Sequence, residues 1–387
     1  MTTEAALGAR SAPRHAPPAP DALLCGLIFA LLGIGLVMVA STALPTTSAA
    51  GGVDDFVRQF VFALIGIAVA AVLYGTPLVY LERLRYPALI LALLLLVAVY
   101  IPGLGHSVNG SARWLDLGPF TLQASEPARI LVLIYIAGYA LVHREGLAQS
   151  FWNLAKPVGV VALVALMLLA EPDFGGTIVL FITALGMLFF AGARKRDTFV
   201  LLLLFGGAAI VLAVSSSYRL ERLTTFLNPW AVQQGSGFQL TQALLAVGHG
   251  GIFGAGLGQS VEKLFYLPEA QSDFIFSVLA EELGLLGVVT VIALYLALTL
   301  RALTIARRAA DAGLTFAGNF AFGLGLLLGV QAFVNIGVNL GVLPTKGLTL
   351  PLMSAGGSSL IVDLAVCGLL LRAARETLVA RAHGASR

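Results

Sequence analysis

Residues 22–43 read ALLCGLIFALLGIGLVMVASTA, twenty-two positions without a single charge. A helix rises ~1.5 Å per residue, so about 20 apolar residues cross the ~30 Å hydrocarbon core of a bilayer. This stretch therefore reads as a membrane span, and the pattern repeats along the chain. Further apolar runs fall near 56–76, 86–101, 126–143, 157–171, 175–192, 198–214, 274–300, 316–342 and 352–371. Composition agrees: 58% of residues are hydrophobic and 11% charged, with a mean hydropathy of +0.93. A water-soluble domain would lack polar surface at that balance. The runs do not alternate as barrel strands do, and a span in lipid must satisfy its own backbone hydrogen bonds, so each is expected to be helical. The expected fold is an all-α integral membrane protein of about ten transmembrane helices.

Lys and Arg placement orients this layout. Most of the 23 basic residues, including Arg83, Arg85, Arg194, Lys195, Arg196, Arg307, Arg308, Arg372 and Arg375, fall on the side that carries the N-terminus. Positive residues are retained in the cytoplasm, which predicts both termini inside. The net charge of +3 follows largely from this bias, and no nucleic-acid signal is present. Residues 1–21, Pro- and Ala-rich, read as a disordered cytoplasmic tail rather than a cleaved signal peptide, and 376–387 read as a C-terminal tail. Between them, 22–375 form one membrane domain. Cys25 and Cys367 lie within spans and read as packing residues.

Polar chemistry gathers on the opposite, outer side. The largest outer loop is 215–272, too long to be a simple connection. Its end and the entry of the eighth span carry Lys263, Glu269, Asp273, Glu281 and Glu282. Carboxylates entering lipid are costly and usually face a cavity. Asp273 also suits the cap of a helix N-terminus, and both readings stand at this point. On a continuous helix Glu281 lies roughly 80° around and ~12 Å deeper than Asp273, so the two can line one cavity, while Glu282 points away toward a neighbouring helix. In the outer loop 103–125, Arg113 suits either lipid headgroups or, through its planar fork, a phosphate, and Trp114 suits the interfacial aromatic belt. Glu126 and Arg129, three apart, read as a self-neutralising pair. Asp173 lies in the tight turn 171–176 and Lys346 between Pro344 and Pro351. The scattered His and Cys make a zinc site unexpected.

Four segments then carry a resemblance: NGSARWLDLGPFTLQASEPAR (109–129), EPDFGGT (171–177), GSGFQLTQALLAVGHGGIFGAGLGQSVEKLFYLPEAQSDFIFSVLAEELG (235–284) and LPTKGLTLPLMSAGGSS (343–359). In order and spacing they resemble the SEDS family (shape, elongation, division and sporulation), and PTKGLTLP looks like its division branch rather than its elongation branch. Two departures stand out. QASEPAR replaces a QPSE followed by an apolar pair and Lys, with Arg129 keeping the charge, and SAGGSS puts Ala355 where the family has Tyr.

The resemblance implies a peptidoglycan glycosyltransferase that polymerises lipid II on the periplasmic face of the inner membrane. It also implies a class B penicillin-binding protein as transpeptidase partner, among other division proteins. Asp273 resembles the family's essential aspartate and is expected to be the general base. Arg113, Trp114, Lys263, Glu269 and Lys346 are expected at the substrate, with Glu126, Arg129, Asp173, Glu281 and Glu282 in support. A divalent cation, Mg or Mn, is the one cofactor considered, with no dedicated cage in the sequence. A lipid II flippase, an elongation-type polymerase and a non-catalytic scaffold are the competing readings. A transporter needs binding residues near the bilayer midplane, whereas these motifs cluster at the outer ends of spans.

Overall fold

The computed structural model describes residues 19–43, 52–108, 111–116, 118, 121–215, 217–264, 267–345 and 347–384. Most of the expected N-terminal tail, and the last three residues, lie outside them.

The apolar runs form helices α1 (Ala22–Ala43), α2 (Gly52–Gly75), α4 (Arg85–Ala98), α5 (Ser125–Val142), α7 (Phe151–Ala170), α8 (Phe174–Phe190), α9 (Lys195–Val214), α12 (Ile275–Asp311), α13 (Thr315–Asn339) and α14 (Gly357–Gly384). Short helices α3 (Leu78–Arg83) and α6 (Arg144–Gln149) sit in connections. Among the described residues, seven helices are long and apolar enough to cross a membrane, and α4 and α8 are shorter apolar helices. Large side chains such as Val72, Leu166, Leu204, Val211 and Phe333 are bare on their outer faces. Apolar surface on that scale is tolerated in lipid and not in water. The protein is a multi-pass membrane protein.

The core is built where α12 packs along α13 and α14 along α2, with α5 and α8 against α13. Gly368 lets α14 approach α2 closely, since a Cβ there would collide with the backbone of Ala70. Cys367 is buried in this core, and both cysteines are free.

Three features refine or depart from the sequence expectation. The fold is not purely α: the segment after α4 holds a three-stranded antiparallel sheet, β1 (Gly105–Val108), β2 (Ser111–Asp116) and β3 (Thr121–Gln123), in the order β1-β2-β3. Trp114 pairs with His106 on one side and Gln123 on the other. The loop 215–272 is largely helical in its first half, with α10 (Ser217–Leu227), a 3-10 turn at Pro229–Val232 and α11 (Phe238–His249). At the C-terminal end the last span begins at Gly357 rather than 352, because 351–356 form turns, and it runs on through 376–384, which the sequence suggested was tail.

The long helix α12 is also broken. Gly284 has φ 65° and ψ −163°, values outside the helix region that a glycine accepts without a Cβ clash. The segment after α11 bridges the gap. Ala255 and Gly256 donate backbone N–H groups to the carbonyls of Glu281 (2.9 Å) and Glu282 (3.1 Å). In return, Leu285 and Leu286 donate to the carbonyls of Gly251 (2.9 Å) and Ile252 (3.3 Å). A broken helix in lipid needs such partners for its freed backbone groups.

Candidate active site

Asp273 lies in a turn just ahead of α12, and its position is fixed from two directions. Asn335 and Asn339, one helical turn apart on α13, each donate a side-chain N–H to the Asp273 carbonyl, at 3.0 and 2.9 Å. The Asn339 side-chain oxygen accepts from the backbone N–H (3.0 Å) and hydroxyl (2.8 Å) of Ser277, holding the first turn of α12. Asn335 also donates to the Leu348 carbonyl at 2.5 Å. From the other side, the hydroxyl of Ser354 donates to the Ser272 carbonyl (2.6 Å) and Ala355 N–H to the Gln271 carbonyl (2.8 Å). Gly347 lets this strand of chain lie against the carboxylate, since a Cβ there would stand 3.2 Å from Asp273 Oδ2.

Glu269 folds back onto the same turn. With φ at 57°, it accepts from the N–H groups of Ser272 and Phe274, both at 3.2 Å, and its carboxylate accepts from the Ser272 hydroxyl at 2.7 Å. Burial, and then the Glu269 charge, push Asp273 up to about 7, against the pull of Arg113 and Arg222. A carboxylate poised there can take a proton at neutral pH. The rate of a reaction using Asp273 as base is accordingly expected to rise with pH through about 7 and level off above it. Glu269→Gln removes the repelling charge, so its acid limb is expected at lower pH; a pH profile of the turnover number checks both statements.

Arg113, on β2, spends part of its fork on the turn between α7 and α8. Its Nε donates to the Glu171 carbonyl (2.6 Å) and an Nη to the Pro172 carbonyl (2.7 Å). Its charge still reaches both Asp273 and Glu171. Arg222 of α10 donates to the Thr345 carbonyl at 3.3 Å, two residues before Gly347. Asp173 caps α8 by accepting from Gly176 N–H at 2.9 Å, so its role is structural at this point. The Glu171 carboxyl is fully buried, and neither oxygen has a hydrogen-bond partner among the described residues. Burial and the neighbouring Asp173 raise it to about 8, with Arg113 opposing. It is therefore mostly neutral at pH 7, and Glu171→Gln, its uncharged isostere, is expected to keep activity within about twofold, as measured by steady-state turnover.

Several expected site residues lie elsewhere. Lys263 turns to a different partner from Asp273: its ammonium is buried against Glu282 at 2.7 Å. Glu281 does not join Asp273 either; it accepts from the Ser260 hydroxyl and from Val261 N–H at 3.0 Å. The helical-wheel expectation fails because the helix starts at Ile275, after a turn at Asp273. Glu126 and Arg129 form no ion pair within 4 Å. Arg129 instead donates to the Gln331 side chain (3.2 Å) and the Ser125 carbonyl (3.3 Å), while one Glu126 oxygen has no partner among the described residues. Trp114 is half-buried in the sheet. Lys346 lies outside the described residues.

Asn335, Asn339, Ser354 and Arg222 were not anticipated. The first two had a readable signal: with Gln331 they form an amide every fourth position, one polar stripe in an apolar span. Among the described residues no group of three His, Cys, Asp or Glu is arranged to hold a metal ion.

Fold and site together define a multi-pass membrane protein with a carboxylate and two guanidinium groups gathered beside a helix start. The chain matches the FtsW/RodA/SpoVE cell cycle protein family over residues 22–378. It is 50% identical over 371 residues to a probable peptidoglycan glycosyltransferase FtsW of Nitrosococcus halophilus, covering 95% of each chain. It is 46% identical to one of Legionella pneumophila, covering 92% of this chain and 91% of the relative. Among solved structures it is similar to a chain of a peptidoglycan synthase complex, with a TM-score of 0.74 and 31% identity, covering 93% of this chain and 98% of that one. It is also similar to the Thermus thermophilus rod shape determining protein RodA, with a TM-score of 0.68 and 30% identity, covering 92% and 97%. The chain belongs to the FtsW/RodA/SpoVE family.

Proposed function

We propose that this protein is the division-branch peptidoglycan glycosyltransferase of its cell, polymerising lipid II into glycan strands at the septum. The supporting observation is the Asp273 carboxylate, poised near neutrality beside Arg113 and Arg222. Asp273 takes the proton from the 4-hydroxyl of the acceptor sugar as that oxygen bonds to the anomeric carbon of the donor. The bond from that carbon to the diphosphate breaks, undecaprenyl pyrophosphate departs with the electron pair, and the configuration inverts. Arg113 and Arg222 lie where positive charge stabilises the departing diphosphate, and Lys346 is assigned with them on sequence grounds. Trp114, in the sheet beside Arg113, is assigned to the sugar or lipid boundary.

The layout that goes with this reading has ten spans, both termini in the cytoplasm and the site facing the periplasm, with a class B penicillin-binding protein cross-linking the strands. Two observations support the ten spans: α4 and α8 are apolar although short, and α9 is a 20-residue helix over one of the predicted runs. The test is to give the purified protein, in detergent with its transpeptidase partner, labelled lipid II. Glycan chains are the expected product. Lipid II left intact in detergent, yet moved across vesicle membranes, would replace this reading with transport.

A further inference from the structure

The half of α12 that follows Asp273, residues 275–283, is cut off from the rest of its helix at Gly284. What holds its lower end is the outer segment 250–263. Beyond the backbone bridge, two acidic side chains near the break reach the same segment. Glu281 accepts from Ser260 and Val261. Glu282 accepts from Lys263 Nζ at 2.7 Å, and the Ser41 hydroxyl of α1 donates to both Glu282 oxygens at 2.7 Å. Lys263 Nζ also donates to Ser41 at 2.9 Å. The Lys263 and Glu282 side chains are 1% and 0% exposed. A buried ion pair seldom adds stability over a well-packed apolar pair, and its best-attested use is to fix register. The two ends of the half-helix thus have separate anchors, Asn335 and Asn339 at the top and the ion pair at the bottom.

We infer that Lys263 and Glu282 are positioning residues for Asp273, setting the register of the 275–283 half-helix against α1 and thereby the height of the carboxylate at the reacting sugars. The inference rests on the reading of Asp273 as the base. A fold needing only bulk at this point would accept an apolar pair, whereas a fold needing one register would not.

The test compares Lys263→Met, Glu282→Leu and the double variant with wild type and Asp273→Asn, measuring lipid II polymerisation, melting temperature and amide hydrogen exchange. Each single change strands a buried charge and is expected to lower the melting temperature. The double variant is expected to recover the melting temperature while its turnover number stays about 10- to 100-fold down, the size of loss that a misplacement of about 1 Å causes, with KM within about twofold of wild type. Exchange is expected to quicken in 275–283 and not in 285–311. A double variant that regains wild-type turnover along with its melting temperature overturns the proposal, and so does one that melts below both single variants, which would make the pair a simple brace. Asp273→Asn at full rate would overturn the base assignment and this inference together. Asp273→Asn inactive beside a fully active double variant would overturn the inference alone.

Discussion

Arg113→Met is expected to lower kcat/KM for lipid II by about 10²-fold, the size of effect seen when one preorganised donor to a developing negative charge is removed. The guanidinium has two tasks. It clamps the turn after α7 through the Glu171 and Pro172 carbonyls, and it places a fixed positive charge near Asp273. Methionine keeps much of the stem and loses both. Arg113→Lys separates the tasks, because an ammonium keeps the charge without the planar fork that meets two carbonyls at once. It is expected to recover part of the lost rate and none of the clamp. Single-turnover rates for the three proteins check this, and equal rates in wild type and Arg113→Met would remove Arg113 from the site.

Asp273→Asn is expected to cost still more, about 10²- to 10⁴-fold in kcat, the range for loss of a positioned general base. The change is nearly isosteric, and the contacts from Asn335, Asn339 and Ser354 go to backbone carbonyls of residues 272 and 273 rather than to the carboxylate. The turn and the start of α12 should therefore survive. Lipid II affinity is expected to stay within a few-fold, because a neutral amide no longer repels an anionic substrate. A loss confined to kcat is the signature of a group acting in the transition state.

The apolar runs made the helices legible, because crossing a bilayer demands length and hydrophobicity that few other constraints mimic. The sheet at 105–123 was not legible. Its strands are three to six residues long and carry Gly, Ser, His and Asp, so neither alternation nor branched side chains mark them. Asp273 stood out as a carboxylate at a span entrance, but what lies around it depends on where α12 starts, and a helical wheel drawn from Asp273 runs through a turn. Lys263 misled for a related reason. Five residues after the glycine-rich stretch that ends at Gly258, it looks like a loop cation, and its partner Glu282 stands 19 residues further along the chain. Glu126 and Arg129 have the spacing of an ion pair, yet Gln331 on α13 offers the guanidinium a different partner. Long-range contacts of this kind have no local signature. The amide stripe 331, 335 and 339 did have one.

Glycosyl transfer by this protein depends, in the proposed function, on the Asp273 carboxylate as general base. Its most direct test is the formation of glycan chains from labelled lipid II by wild type and Asp273→Asn, each purified with the transpeptidase partner and compared at saturating substrate. Polymer is expected from wild type and none above background from Asp273→Asn, with lipid II bound by both. Polymer of equal length and yield from the two proteins would contradict it.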